Sequence, residues 1–300
     1  NRAFNFTRTD SADFDNVSYS VGADYRINDN VLTYAKYATG FKSGGWSPDA
    51  FSSTAIFLPV DEEKLDSFEM GAKTDLFSNT VRLNAAYFFN TYEGLQIGAT
   101  VPGVGFTRFN VPEAQIQGLE FELAWQATDN LQFNANLGLL DAEYTELDMA
   151  AAAGLTGQGA TPACGGVVTL ECAYGLSLKN APDYKGAIGV LYNLPVTSGE
   201  FVFSADVGFE DDNWSLVSNS PAQALTTVDP LINARVKYES DGVECLPIRA
   251  DHLRYRPRLQ VLGVSSSSRI RLENSGAPVL FCAGAFGPSR SQACPGRLHL

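Results

Sequence analysis

Three carboxylates, Glu69, Glu120 and Glu122, stand in the middle of strand-like runs. Two carboxylates facing each other can divide the work of general acid and general base. The plainer reading of these residues is hydrated wall charge, balanced by Arg82 or Lys73. No histidine precedes His252, so Ser-His-Asp and Cys-His schemes lack their base. No glycine-rich phosphate loop sits between a strand and a helix. The chain reads as a non-enzyme, and nothing in it calls for a cofactor or a metal.

Cys164 and Cys172 share the longest connection, which is rich in Ala and Gly. In an oxidising compartment they are expected to form a disulfide, with a metal pair or two free thiols as the alternatives. Cys245, Cys282 and Cys294 have no CxxC partner and do not make a zinc site. Five aromatics in connecting segments, Phe41, Trp46, Phe51, Phe57 and Trp214, are candidates for touching a small solute. Packing within their own loops is the competing explanation. Tyr25, Tyr34, Tyr92, Tyr144 and Tyr192 lie near strand ends, where aromatics form interfacial girdles.

The elements that must position these residues announce themselves by a period of two. Val17, Tyr19, Val21, Ala23, Tyr25 and Ile27 alternate with Ser18, Ser20, Gly22, Asp24 and Arg26. Phe68, Met70, Ala72, Thr74 and Leu76 alternate with Glu69, Gly71, Lys73 and Asp75. Leu119, Phe121, Leu123 and Trp125 alternate with Gly118, Glu120, Glu122 and Ala124. Similar runs lie at 31–41, 81–89, 131–139, 184–192, 201–209 and 232–238, which makes about nine strands. Each has one apolar and one polar face, apart from 31–41, where the aromatics fall on both.

Loop rhythm separates a membrane barrel from a soluble β-protein. Short turns at 28–30, 77–80, 128–130, 195–200 and 239–242 alternate with long connections at 42–64, 93–113, 145–181 and 211–228. Outer-membrane barrels have short turns at one rim and long loops at the other. The polar face carries full charges in mid-strand, which suits a wet lumen, while the apolar face suits lipid. The sequence has no apolar run of the roughly 18 residues or more that a spanning helix needs. A soluble β-binding module remains as the alternative. The formal net charge of -13 argues against nucleic acid as a partner.

Four segments in order carry a family resemblance: LTYAKYATGFKSGGW (32–46), EEKLDSFEMGAKTDLFSNTVRLNAAYFFNTYEGLQI (62–97), IQGLEFELAWQATDNLQFNANLGLLDAEY (116–144) and NAPDYKGAIGVLYNL (180–194). They resemble the barrel half of TonB-dependent outer-membrane receptors. The resemblance implies an all-β fold, an antiparallel transmembrane β-barrel of about 22 strands filled by a plug. It also implies residence in the bacterial outer membrane among its lipids. Active uptake of a scarce small-molecule solute, such as an iron-siderophore, is the activity implied. The TonB complex would be engaged through an N-terminal plug and TonB box. No stretch here matches those parts, and Asn1 to Asp10 do not read as a signal peptide. The expectation is the C-terminal part of a receptor barrel, with a passive channel or structural barrel protein as the alternative function.

The chain divides at residue 242. Residues 1–242, the partial barrel, hold 31 of the 34 acidic and 13 of the 21 basic residues. Residues 243–300 hold eight Arg, no Lys, both His and five of the 14 Pro, and their alternation is lost. A reading-frame change near Gly242–Val243 explains this break, and the tail is then frameshifted or disordered. A divergent tail or a small basic domain is the other explanation. Resequencing the gene across codons 238–255 is expected to expose the frame change; an intact frame in independent reads would refute it.

Overall fold

The computed structural model describes residues 9–46, 59–101, 105–156, 167–219, 225–240, 243–245, 248–251, 259–261 and 282–284. Nine long strands form one antiparallel sheet. They are β1 (Ser20–Asn28), β2 (Val31–Lys42), β5 (Glu63–Leu76), β6 (Val81–Val101), β7 (Gly105–Thr128), β8 (Leu131–Glu146), β9 (Tyr184–Val196), β10 (Gly199–Glu210) and β13 (Leu231–Ser240). Short ribbons interrupt two connections, β3 (Gly45–Trp46) with β4 (Pro59–Val60), and β11 (Asn213–Trp214) with β12 (Leu225–Thr226). Each long strand pairs with the next long strand in sequence, an up-and-down meander. All nine alternating runs of the sequence are strands. The sheet is a segment of a transmembrane β-barrel and is not closed: among the described residues β1 pairs only with β2.

Register makes the two faces continuous. Tyr25, Thr33, Ala72, Ala85, Phe121, Leu137, Gly186 and Phe209 fall in one row of partners from β1 to β10. One residue along, the row reads Asp24, Tyr34, Gly71, Ala86, Glu120, Gly138, Lys185 and Glu210. A slip of one residue would exchange the faces. The apolar face has no protein against it: Met70 and Ile188 are each 50% exposed and Phe203 37%. Large apolar side chains left open over a whole sheet face call for a hydrocarbon neighbour. Near the short turns this face carries aromatic pairs, Trp125 with Phe133 at 5.4 Å and Phe201 with Tyr238 at 4.8 Å between ring centroids. Tyr25 and Tyr192 belong to this girdle, exposed on the same face. Tyr34 and Tyr92 point to the polar side instead, and Tyr144 is buried. Strand parity decides this, and proximity to a strand end does not.

On the polar face the charges are held by neighbours. The Tyr34 hydroxyl donates to Glu69 at 2.6 Å, and its ring lies over Gly71, where a Cβ would come within 2.7 Å. Asn84 donates to Glu122 at 3.1 Å. Arg82 pairs with Asp75 at 2.8 Å rather than with the glutamates, and Lys73 stands over the Tyr34 ring at 5.9 Å.

Turns at one rim are tight. Asp29-Asn30 and Asp129-Asn130 join their strands directly, as Asn and Asp favour. Between β5 and β6, Phe77, Ser78 and Asn79 all take positive φ, at 52°, 57° and 67°. The opposite rim departs from the sequence reading at two places. The stretch 93–113 is strand almost throughout, since β6 and β7 continue to pair up to Val101 and Gly105. The stretch 145–181 contains helices α1 (Met149–Thr156) and α2 (Leu170–Tyr174). Alanine has the highest helix propensity, and Asp148 and Thr169 accept from the first-turn amides of Ala151 and Cys172 as N-caps. None of the described helices is long and apolar enough to cross a membrane.

Beyond β13, the short strands β14 (Val243–Cys245) and β15 (Ile248–Asp251) pair with its far edge at Glu239–Ser240 and Asn233–Val236. Two further three-residue strands, β16 (Leu259–Val261) and β17 (Cys282–Gly284), pair with β15 and β14 respectively. Most of the tail after residue 243 lies outside the described residues.

The sheet's two-facedness is tested at one row. Phe121→Arg should destabilise the intact protein in lipid vesicles by about 2–4 kcal/mol, the cost of a mid-bilayer arginine on a barrel exterior. Glu120→Gln, one residue along on the wet side, should leave stability within about 0.5 kcal/mol. Denaturant unfolding measures both, and equal tolerance of the two changes would refute the facing.

Candidate functional site

A spanning strand needs only about 9–11 residues, and β6 and β7 have 21 and 24. Their outer halves therefore stand above the membrane as a finger. Around it gathers the main hydrophobic core among the described residues. Ile97, Ala99 and Val111 of the finger join Ala114, Tyr144 and Leu147, with Ala151, Ala152 and Leu155 of α1. Ala173 of α2, Leu176 and Leu178 extend this core, and Val217 brings in the connection after β10. The Phe109 ring packs onto Gly154, where a Cβ would come within 2.4 Å. The outer connections are thus a folded cap.

The cap ties its connections together. Asn219 accepts from the Ser177 amide at 2.6 Å and donates back to the Ser177 carbonyl at 3.1 Å, which imitates a strand neighbour. The Asn180 amide donates to the Trp214 carbonyl at 2.7 Å. The Tyr144 hydroxyl is buried without a hydrogen-bond partner. It lies past the spanning part of β8, and burial raises its pKa above the usual tyrosine range.

The candidate contact residues fall at different heights. Phe41 lies within β2 opposite Lys64, on the parity of Tyr37, so it is a strand residue of the outer rim. Trp46 lies in β3 opposite Pro59, and Trp214 in β11 opposite Leu225. Both tryptophans are half-buried at the roots of outer connections. Phe51 and Phe57 lie outside the described residues. Cys172 in α2 is disulfide-bonded, while Cys164 lies outside the described residues. Glu69, Glu120 and Glu122 line the inner wall, well below the cap. A recess lined by Arg26, Lys73, Asp75 and Arg82 opens on that wall near the short turns.

Sequence reasoning missed the cap core and the side-chain amides that bind its parts. The signals were present: Leu95, Ile97 and Ala99 alternate like any strand, and Asp148 and Thr169 precede helix-forming residues. Gly94, Gly98 and Pro112 masked the first of them. Only the Gly94–Pro112 pair drops out of the ladder there.

An antiparallel meander with an apolar exterior, a charged interior and a folded cap at one rim describes a class of outer-membrane receptor barrels. Residues 1–243 match the family described as "TonB dependent receptor-like, beta-barrel", and the chain belongs to that family. Among curated relatives it is 29% identical over 147 residues to the "Probable TonB-dependent siderophore receptor PiuA" of Acinetobacter baumannii. That match covers 47% of this chain and 19% of the relative. The ferric yersiniabactin uptake receptor FyuA of Yersinia pestis superposes with a TM-score of 0.58 at 18% identity, covering 83% of this chain and 34% of that one. The structure of the siderophore receptor PiuA from Acinetobacter baumannii gives 0.58 at 20% identity, covering 81% and 34%. The chain thus spans about a fifth of the curated relative and a third of each structure.

The cap's core can be weakened without touching the barrel. Leu155→Ala should cost about 2–5 kcal/mol of local cap stability. Hydrogen exchange should rise in α1 and the finger above Gly94, while the β7–β8 ladder around Phe121 keeps its protection. Loss of protection in both regions together would show that cap and barrel are one cooperative unit.

Proposed function

We propose that this chain forms part of a receptor that carries a ferric siderophore across the outer membrane, with the energy drawn from TonB through a plug in the same protein. The family match over residues 1–243 carries this reading. PiuA is described as a siderophore receptor and FyuA as a ferric yersiniabactin uptake receptor, which supports iron chelates as the solute class. The folded cap above a hydrated wall supports it too. A passive channel gains little from elaborate packing over its mouth, whereas a receptor must hold a solute before moving it.

In this reading the outer connections capture the chelate and the inner wall guides it. Trp46 and Trp214 are half-buried aromatics in the outer connections, a residue type that suits a chelate with both apolar and polar surface. The glutamates of the wall are binding and lining groups, with no part in bond cleavage.

The intact protein, expressed in a strain stripped of its own siderophore receptors, should restore iron-limited growth on at least one of a panel of ferric catecholate, hydroxamate and carboxylate chelates. Radio-iron uptake should saturate with concentration and stop when TonB is deleted. Uptake that persists without TonB and rises linearly with concentration would instead establish a passive channel.

A further inference from the structure

The connection between β2 and β5 carries Trp46, and none of its described residues belongs to the cap core. What holds its base is a set of side-chain amides on the finger. The Gln96 side chain donates from Nε2 to the backbone carbonyls of Ser43 at 3.0 Å and Asp61 at 2.9 Å, so one amide grips both ends of the connection. The Gln96 backbone N–H donates to the Glu63 carboxylate at 2.7 Å. Across the ladder Gln96 faces Asn110. Asn110 accepts from the Asp61 amide at 2.8 Å and donates from Nδ2 to the carbonyls of Asp61 at 3.0 Å and Gly94 at 2.7 Å.

Gly94 completes the arrangement. Its φ is +66°, and a Cβ there would come within 2.5 Å of the Glu62 carbonyl. The finger therefore has, at this level, a residue that lets the returning chain approach backbone to backbone. Opposite it stands Pro112, which has no N–H to donate. At the one level where the β6–β7 ladder is interrupted, side chains supply the missing hydrogen bonds and direct them to another connection.

We infer that Gln96 and Asn110 are positioning residues that pin the two ends of this connection, at Ser43 and Asp61, against the β6–β7 finger and so set how Trp46 is presented to the solute. This rests on the proposed siderophore reading for its solute, but the pinning itself does not. Both residues act through hydrogen bonds from their amide nitrogens, and that separates this role from simple packing. Glutamate and aspartate keep the shape of glutamine and asparagine but turn the donors into acceptors, which would face the carbonyls of Ser43, Asp61 and Gly94.

The test uses Gln96→Glu, Asn110→Asp and the double variant in the intact protein in outer-membrane vesicles, with heat-modifiable gel migration as the check on barrel folding. Chymotrypsin probes cleavage after Trp46, and cut sites are mapped by mass spectrometry. The double variant loses the four hydrogen bonds that the two amide nitrogens donate, so it should be nicked after Trp46 about tenfold faster or more. Binding of the same panel of ferric chelates, read by tryptophan quenching, should weaken about fivefold or more for whichever chelate the unaltered protein binds. The single variants should fall between, and they carry the test if the double variant does not fold. Nicking at the unaltered rate would overturn the pinning. Faster nicking with unchanged chelate affinity would overturn the positioning role. If the unaltered protein binds no chelate of the panel, the siderophore reading fails and chymotrypsin alone decides the pinning.

Discussion

Hydrocarbon offers nothing to a backbone N–H or C=O, and each such group left unpaired costs several kcal/mol. The rest of this structure follows from that constraint. Every spanning strand must have a neighbour on both sides, so the chain runs as a meander in which consecutive long strands pair. Pairing in turn enforces a strict alternation of faces, because successive residues of a strand point opposite ways. The apolar row through Phe121 and the charged row through Glu120 are therefore two readings of one hydrogen-bond ladder. The same constraint bears on the two ends of the sheet. β1 shows an unpaired edge among the described residues, and such an edge pairs with another strand or aggregates.

Above the membrane a different force takes over. Water can satisfy the backbone there, so strand pairing is no longer compulsory, and ordinary hydrophobic packing shapes the chain. Ile97, Val111, Leu155 and Val217 are almost completely buried, whereas the apolar residues of the spanning region are left bare. The protein thus has its oily surface on the outside at one level and on the inside at the next. β6 and β7 pass through both regimes without a break in direction. Their lower halves show Leu83 and Leu119 outward, exposed by 37% and 40%, and their upper halves are wrapped by α1 and its neighbours.

The sheet was legible in the sequence because a period of two is a local signal repeated along the chain, cleanly sorted in every run but 31–41. The order of short and long connections was legible too, apart from 93–113, which is strand almost throughout. The cap was not, since its packing joins residues far apart in sequence, such as Val111, Leu155 and Val217, and no local period links them. Glycine and proline misled in a specific way. Gly94 and Pro112 suggest a loop, but they mark one interrupted rung of a ladder that resumes at Leu95 and Val111. The candidate site fared similarly. Trp46 and Trp214 stand at roots of outer connections, while Phe41, the last residue of the alternating run 31–41, lies inside β2, which runs on to Lys42. The amide grips of Gln96, Asn110 and Asn219 could not be read at all, for a side-chain amide looks the same in a sequence whatever it holds.

The bend at Phe77, Ser78 and Asn79 bears on how the barrel is assembled. Asparagine visits the left-handed region readily, whereas phenylalanine and serine each pay about 1–2 kcal/mol to stay there. A corner of this kind has no tendency to form by itself in a nascent chain. The thirteen pairs of the β5–β6 ladder have to hold the corner in place. Asp29-Asn30 and Asp129-Asn130, built from residues suited to tight reversals, make no such demand on their hairpins.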